Sequence, residues 1–203
     1  MPDAYLHCSD EELLLSFRKG KRAAFETLVR RYERELYGYL RRYLDDAHLA
    51  DDVFQNTFLQ VFSKAHQYEK GRPVRPWLYT IATNAAVDAM RRQGRHTAVS
   101  LDQTVSESQD AEVHSLLDML ESSASEPLEH VQAQERRQLV RDAVNQLPEF
   151  LRQVVILAYY QGLKHRDISQ IMKIPVGTVK SRLHAAMARL HEAWTTEPAT
   201  PED

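Results

Sequence analysis

Apolar residues recur at spacings of three and four along most of this 203-residue chain, the period that places side chains on one side of an α-helix. Ser9, followed three residues later by Glu12, has the form of a capping box that opens a first helix, which Gly20 ends. The spacing predicts three further helices, over 24–43, 49–65 and 77–92. The apolar positions of the third helix are Val53, Phe58, Leu59 and Phe62.

Two breaks separate these predicted helices. Asp45 and Asp46 interrupt the pattern after the second helix, and either can cap the helix that follows. Gly71, Pro73 and Pro76 indicate a loop before the fourth helix.

Between residues 96 and 130 the periodic pattern gives way to Ser, Asp, Glu and Gln, a composition typical of a flexible linker. Only 113–120 can form a short amphipathic turn or two. Helical periodicity returns at Val131, and no alternating β-branched runs indicate strands. We therefore expect an all-α fold of two small helical domains, over 1–95 and 131–195, joined by an acidic linker over 96–130 and followed by a disordered tail over 196–203.

The carboxyl segment has the pattern of a helix-turn-helix, the motif that places a recognition helix in the DNA major groove. Pro148 suits the first turn of a helix, 165–172 is the predicted supporting helix, and 173–175 the turn. Lys173 would favour glycine if the turn needs positive φ, at a cost of about 1 kcal/mol. The predicted recognition helix begins near Val176. Its expected core face is formed by Val179, Leu183, Ala186 and Leu190.

The opposite face of the predicted recognition helix is small, polar and basic. Such groups can reach phosphates and base edges. The candidates are Thr178, Lys180, Ser181, Arg182 and His184. An ordinary helical hairpin with a solvated basic face is the alternative.

The formal net charge of −3 is the sum over three segments that differ in charge. Residues 1–95 carry 16 Lys and Arg against 13 Asp and Glu, residues 96–130 carry none against 8, and residues 131–203 carry 10 against 8. Two mildly basic segments flank an acidic one, so the net charge does not exclude a nucleic-acid partner.

No pattern of a catalytic or metal site occurs in the sequence. The single Cys8 excludes an intramolecular disulfide and a cysteine-based zinc cluster, and the nine histidines show no HExxH spacing. The triplet 165–167 spells the kinase sequence HRD, but Met172 stands where the kinase asparagine is expected. We expect no cofactor, no metal and no enzymatic activity.

No segment resembles a signal peptide, and no apolar run approaches the ~20 residues that span a bilayer. We therefore expect a cytoplasmic protein without membrane insertion.

Two blocks of the chain, about 10–95 and 131–194, resemble the extracytoplasmic-function (ECF) group of bacterial sigma factors. The carboxyl block is similar to sigma region 4 through LPEFLRQVVILAYYQGL and IPVGTVKSRLHAA, and the amino block to region 2 through LADDVFQNTFLQVF and WLYTIATNAAVDAMRR. No segment resembles the extra domains of primary sigma factors. The resemblance implies a sigma factor with regions 2 and 4 only, which binds core RNA polymerase and directs promoter-specific transcription initiation.

The resemblance implies that residues 50–65 match region 2.2 and dock on the clamp coiled coil of the polymerase β′ subunit. Its polar contacts would come from Asp51, Asp52, Gln55 and Asn56. The last three lie at i, i+3 and i+4, on one helix face. The family more often has an acid where Asn56 stands, and both aspartates can alternatively serve the start of the helix.

Residues 66–75 and 77–92 would correspond to regions 2.3 and 2.4, which read and melt the −10 promoter element. This task needs a pocket or stacking surface for an extruded base, and cations for the backbone. The candidates are Tyr68, Lys70, Arg72, Arg75, Asn84, Arg91, Arg92 and Arg95. Asn84 can pair with a base edge or with Asp88, and Trp77 is expected in the core rather than as a wedge. The cations at the helix end can alternatively be solvated surface.

Region 4 would read the −35 element through the outward face of the recognition helix, Thr178, Lys180, Ser181, Arg182 and His184. The family commonly has another basic residue at Ala185, so a different or weaker upstream sequence is expected. The resemblance also implies contact with the polymerase β flap and control by an anti-sigma factor. The acidic linker either threads the polymerase cleft or acts only as a tether.

A stand-alone helix-turn-helix transcriptional regulator, with a helical amino-terminal interaction domain, is the second hypothesis. Such a regulator should bind its operator without polymerase and should dimerise, whereas a sigma factor depends on core enzyme. A third hypothesis, a helical interaction protein, predicts no specific effect on DNA. The LADDVFQNTF and WLYTIATNAAVD blocks favour the sigma factor.

Overall fold

The computed structural model describes residues 5–94 and 132–196, with side chains over 138–193 in the second range. Eight α-helices run through these ranges: α1 Asp10–Arg18, α2 Arg22–Leu44, α3 Ala47–Lys64, α4 Val74–Arg92, α5 Gln132–Gln146, α6 Glu149–Val155, α7 His165–Met172 and α8 Val176–Thr196. A 3-10 turn over Ala65–Gln67 follows α3, and a π-helical segment over Ile156–Tyr160 extends α6. The predicted all-α class is confirmed for these ranges. The predicted linker, Arg95 and residues 197–203 of the predicted tail lie outside them.

Side chains at the helix ends explain where the first helices begin. Ser9 and Glu12 form the predicted capping box, because the Ser9 hydroxyl accepts from the Glu12 N–H at 3.2 Å and the Glu12 carboxylate accepts from the Ser9 N–H at 2.8 Å. Asp45 ends α2 in the left-handed conformation, with φ 52°. Asp46 then caps α3 by accepting from the Leu49 N–H at 3.0 Å. Asp45 therefore ends α2, and Asp46 begins α3.

The fourth helix begins earlier than the sequence pattern predicts. It starts at Val74 rather than Trp77, so Pro76 lies in its first turn and not in the preceding loop. A proline is tolerated there because the first N–H groups of a helix have no intrahelical acceptor.

The first compact unit contains α1 to α4, and the second contains α5, α6 and α8. In the first unit α2 packs against each of the other three helices. Its buried positions are Ala24, Leu28, Tyr32, Leu36, Tyr39, Leu40, Tyr43 and Leu44. The same three-and-four spacing that predicted the helix thus forms the centre of the core.

Polar side chains cross this core from α2 to α4. The Glu35 carboxylate accepts from the Tyr79 hydroxyl at 2.8 Å and from the Arg75 Nε at 2.8 Å. Burial and the neighbouring Glu35 raise the pKa of Tyr79 well above its ordinary value. The Tyr39 and Thr83 hydroxyls, both buried, share a hydrogen bond of 2.8 Å. The interface between α2 and α4 is therefore fixed by polar contacts as well as by packing.

The core of the carboxyl unit follows the predicted recognition-helix face. Val179, Leu183, Ala186 and Leu190 are all buried, as the spacing predicts, and α8 packs on α6. The second helix of the motif spans His165–Met172 and the third begins at Val176, which confirms both predicted limits.

The turn between α7 and α8 is closed by its own backbone. Lys173 adopts φ 56°, and the Ile174 N–H donates to the Ser169 carbonyl at 3.1 Å, the six-to-one bond of a Schellman motif. The Ser169 hydroxyl also donates to the Ile174 carbonyl at 2.6 Å. A turn that needs positive φ at Lys173 would favour glycine there, and the positive φ is present.

Glu35→Ala should lower the free energy of unfolding of the amino unit by about 1–3 kcal/mol, because the buried Tyr79 hydroxyl loses its carboxylate acceptor. Adding Tyr79→Phe should restore part of that loss, giving a coupling energy of about 1 kcal/mol in a double-mutant cycle. Hydrogen exchange of α4 amides measures these energies. Glu33→Ala, exposed on the same helix, is the control, and a coupling energy of zero would contradict the prediction.

Lys173→Gly should stabilise the turn between α7 and α8 by up to about 1 kcal/mol, because the left-handed conformation costs about 1–2 kcal/mol in a residue with a Cβ. The greater freedom of glycine in the unfolded chain offsets part of this gain. Lys173→Ala retains the Cβ and should bring no gain. Opening free energies from exchange of α7 and α8 amides distinguish the two variants, and equal values for both would count against a strained turn.

Candidate functional site

One face of α3 carries a polar patch around an exposed leucine. Asp52 and Gln55 are exposed and Asn56 is half-buried, while 69% of Leu59 is exposed. At 100° per residue these four side chains lie within an arc of about 100°. The structure therefore brings together three of the four residues predicted to bind polymerase, and it adds Leu59 to them.

Leu59 is the residue of this face that the apolar pattern misassigned. The pattern grouped it with Val53 and Phe58, which are buried, but Leu59 points into solvent. At 100° per residue it lies about 165° around the helix from the centre of the buried face, which is formed by Leu49, Ala50, Val53, Thr57, Phe58 and Val61. Angular position, applied to α3 as it was to the recognition helix, would have found it.

Phe62, also in the predicted apolar set, is 52% exposed. Its ring lies 4.9 Å from that of Phe17 and 5.5 Å from that of Phe25. It therefore closes an aromatic cluster between α1, α2 and α3 while one edge remains open to solvent.

Asp51, the fourth predicted residue, has a structural partner. Its carboxylate is hydrogen-bonded to Tyr37 of α2, and this bond is the main cause that raises the pKa of Tyr37. The side-chain cap of α3 is supplied by Asp46, and the first turn of the helix contains no acid. Asp51 and Asp52 therefore do not serve as its cap.

An open cleft of about 400 Å³ lies between α3 and α4. Leu49, Val53 and Ala89 give it apolar walls, and Gln93 lies at the end of α4. The remaining lining residues are Asp52, Asn56 and Arg92. The cleft thus joins two residues predicted to contact polymerase with one predicted to contact DNA.

The loop that follows the 3-10 turn is organised around Tyr68. The Tyr68 ring is only 4% exposed and lies 5.5 Å from the ring of half-buried Trp77, and its hydroxyl donates to the Arg72 carbonyl. Tyr68 was a candidate stacking surface for a base, but burial leaves no open ring face. It holds the loop, while Lys70 and Arg72 at the tip are exposed.

Arg75 differs from the other candidate cations. It is half-buried, it pairs with Glu35 at 2.6 Å, and its guanidinium lies 5.7 Å from the centre of the Tyr79 ring. Burial alone would lower the pKa of Arg75, but the bond to Glu35 raises it overall. Arg75 is thus paired with Glu35 at the edge of the core.

The other described −10 candidates on α4 are exposed: Asn84, Arg91 and Arg92. Asn84 and Arg91 are seven residues apart, so they lie on the same face, two turns from each other. The Arg92 Nε donates to the Asp88 carbonyl at 3.2 Å, which leaves the rest of its guanidinium at the surface.

The candidate DNA-binding side chains of the recognition helix differ in their exposure to solvent. Lys180 is exposed, whereas Thr178, Ser181 and His184 are half-buried, and the Ser181 hydroxyl donates to the Thr178 carbonyl at 3.1 Å. The Arg182 guanidinium lies 5.3 Å from the centre of the Phe150 ring, and burial lowers the pKa of Arg182. Arg182 is therefore held on the flank of the helix by a cation–π contact.

Further cations at the start of α7 were not among the candidates. Lys164, His165 and Arg166 are exposed. Two of them, His165 and Arg166, belong to the HRD triplet, whose similarity to the kinase sequence indicated no role in DNA binding. Cations directly before a supporting helix are the signal that could have found them, since such residues can reach phosphates.

Two properties concern the described ranges as a whole. None of their helices has the length and apolar character to cross a bilayer. Within the same residues, no cluster of three or more His, Cys, Asp or Glu side chains could hold a metal ion.

Comparison with known proteins matches both units. The sigma-70 region 2 family model matches residues 28–96, and the sigma-70 region 4 model matches residues 137–190. The RNA polymerase sigma-H factor of Pseudomonas aeruginosa is 31% identical over 184 residues, which cover 91% of this chain and 93% of that protein. The ECF RNA polymerase sigma-E factor of Haemophilus influenzae is 30% identical over 178 residues, covering 88% and 91%.

A solved structure shares the fold. The sigma factor RpoE from Bartonella quintana, determined in complex with the anti-sigma factor NepR, aligns over 86% of this chain and 98% of that chain, with a TM-score of 0.60 at 22% identity. Because the curated relatives are RNA polymerase sigma factors matched along nearly their whole length, the stand-alone regulator is not favoured. The chain belongs to the sigma-70 family of RNA polymerase sigma factors, and within it to the ECF group.

Proposed function

We propose that this sigma factor binds core RNA polymerase through the exposed face of α3, reads the −10 element with the 68–74 loop and α4, and reads the −35 element with α8. The observation that carries the proposal is that the segments matched by the two family models contain the exposed side chains of α3 and α8. The region 2 match contains the Asp52–Leu59 face, and the region 4 match contains the outward side of the recognition helix.

The α3 face suits a partner helix that carries both cations and apolar side chains. Asp52 offers a carboxylate and Gln55 an amide around exposed Leu59, an apolar centre with a polar rim. In the family, the clamp coiled coil of the β′ subunit is the partner of this region. Complementary charge would set the register of the two helices, and burial of Leu59 would supply affinity. Asn56, half-buried on the cleft wall, would extend the contact.

For the −10 element we assign different tasks to the candidates according to their burial. Lys70 and Arg72 at the exposed loop tip, with Arg91 and Arg92 at the end of α4, would grip phosphates. Asn84, on the same face as Arg91, would pair with a base edge. Tyr68 and Arg75, engaged inside the unit, would hold the loop. Arg95, which lies outside the described residues, is assigned to phosphate contacts from its place in the sequence alone.

For the −35 element, Lys180 is the most accessible candidate on α8 and would contact phosphate. Ser181 and His184 would approach base edges, with Thr178 at the start of the helix. Arg182 would contact the backbone from the flank, with its position set by Phe150.

We assign the remaining roles on the same basis. The units over 1–95 and 131–195 would act as separate readers joined by the 96–130 linker, in the cytoplasm, and region 4 would also contact the β flap. Catalysis would belong to the polymerase, since members of this family are initiation factors. An anti-sigma factor is a second partner, supported by the fold shared with RpoE, which was solved with one.

Transcription with core polymerase on a genomic fragment library, with and without the protein, tests the function. New RNA 5′ ends that share paired upstream elements are expected, and they should disappear with the Asp52→Ala/Gln55→Ala variant. Glu33→Ala, an exposed charge change elsewhere in the same unit, should leave them unchanged. If the protein produces no new starts yet retards specific DNA without polymerase, the stand-alone regulator replaces this proposal.

Leu59→Ser should weaken core polymerase binding about tenfold, as expected when an apolar residue at an interface centre is replaced, while the stability of the free protein stays within about 0.5 kcal/mol. Leu6→Ser makes the same change at a leucine of the amino unit that is 59% exposed and lies outside the proposed contacts, and it should leave affinity unchanged. Fluorescence titration of labelled protein with core enzyme measures both affinities. Equal affinity of the Leu59→Ser variant and the unaltered protein would remove α3 from the interface.

A further inference from the structure

The loop proposed to read the −10 element is held at both ends by one helix that lies far away in the sequence. Glu11 and Arg18 are seven residues apart on α1, which places them on the same face and about 10 Å apart along the helix. α1 packs against both the 3-10 turn and α4, the two elements that bound the loop. Each of the two side chains contacts the backbone at one end of it.

Glu11 supplies the cap that α4 does not provide for itself. The N-cap position is Pro73, which offers no side-chain cap, and Pro73 and Pro76 have no N–H to donate. The Val74 N–H donates instead to the Glu11 Oε1 at 3.0 Å, across 63 residues of sequence. A carboxylate at this end also interacts favourably with the helix dipole. The start of α4, and with it the end of the loop, is thereby fixed from α1.

Arg18 holds the other end of the loop. Its Nη1 donates to the Tyr68 carbonyl at 3.1 Å, directly after the 3-10 turn. Tyr68 itself is buried, and its hydroxyl reaches the Arg72 carbonyl. The backbone at both ends of the loop is therefore bound to α1, while Lys70 and Arg72 remain exposed at the tip.

We propose that Glu11 and Arg18 are positioning residues for base recognition: they fix the backbone of the 68–74 loop and the start of α4, so that the phosphates held by the loop tip place an extruded base against α4 in one geometry. This inference rests on the proposed role of the loop in reading the −10 element. α1 itself touches no DNA in this scheme, so its contribution is to discrimination between sequences.

The test measures discrimination with holoenzyme assembled from core polymerase and the full chain. The template is one promoter identified by mapping 5′ ends, together with a set in which single base pairs of the −10 or −35 element are replaced. The readout is the ratio of initiation on the parent template to initiation on each substituted one. A purely structural defect lowers the amount of active protein and changes all templates by the same factor, leaving these ratios unchanged.

Glu11→Ala and Arg18→Met should each lower the −10 ratios about fivefold, the factor that one net hydrogen bond is worth, with the −35 ratios unchanged. Glu11→Gln keeps an acceptor for the Val74 N–H and should retain most of the discrimination. Glu12→Ala is the matched control, because it removes the same charge one residue along but loses only the local capping box. Its ratios should equal those of the unaltered protein.

Three outcomes would count against the inference. If the Glu11→Ala and Arg18→Met variants lowered initiation by the same factor on every template, α1 would have a structural role only. Unchanged −10 ratios in the Glu11→Ala and Arg18→Met variants, with lowered initiation on every template in Lys70→Ala and Arg72→Ala, would refute the inference and leave the loop as a contact to the DNA backbone. Unchanged −10 ratios in the first two variants, with unchanged initiation in the last two, would refute the inference together with the proposed role of the loop.

Discussion

The buried tyrosine hydroxyls of the amino unit need hydrogen-bond partners inside the protein, because burial removes them from water. This requirement limits how the helices around them can pack. α2 buries Tyr32 and Tyr39, and their partners stand on other helices: Asp10 on α1 and Thr83 on α4. In the opposite direction, the hydroxyl of Tyr79 on α4 donates to Glu35 on α2. Apolar packing alone would permit small slips between helices, whereas these bonds are satisfied at one register only. The surfaces proposed to bind polymerase and DNA are therefore carried on helices of fixed relative position.

The cations of the proposed DNA-binding surfaces fall into two groups, those held by other side chains of the protein and those exposed to solvent. Arg75 is paired with Glu35 of the same unit, whereas the Arg72 side chain is 72% exposed and its partner Glu69 is 67% exposed. An exposed pair of this kind contributes little to stability, so it can be exchanged for a phosphate contact at small cost. Similarly, Lys180 stands free on α8 while Arg182 lies over Phe150. Burial, more than residue type, distinguishes a cation available to a ligand from one that shapes the site.

Local patterns were enough to predict most helix limits and the recognition-helix core. The capping box at Ser9, the aspartates between α2 and α3, and the left-handed Lys173 each depend on residues within a few positions. The predictions for Tyr68 and Arg75 differ from the structure because their surroundings come from other parts of the fold. The Glu35 partner of Arg75 lies 40 residues earlier in the chain, and no local spacing signals it. Leu59 was missed for a different reason, since apolar character was taken as a sign of burial.

The attachment of the loop to α1 also has a consequence for biosynthesis. Chains are made from the amino terminus, and α1 and α2 are neighbours that can pair as soon as both exist. The contacts that shape the loop join residues 50 and 63 positions apart, so they form only after the start of α4 has left the ribosome. Non-local contacts of this kind are slow to form because the intervening chain must first be ordered. The amino unit thus acquires its helical scaffold early in synthesis, and only last the fixed loop that is proposed to discriminate DNA sequences.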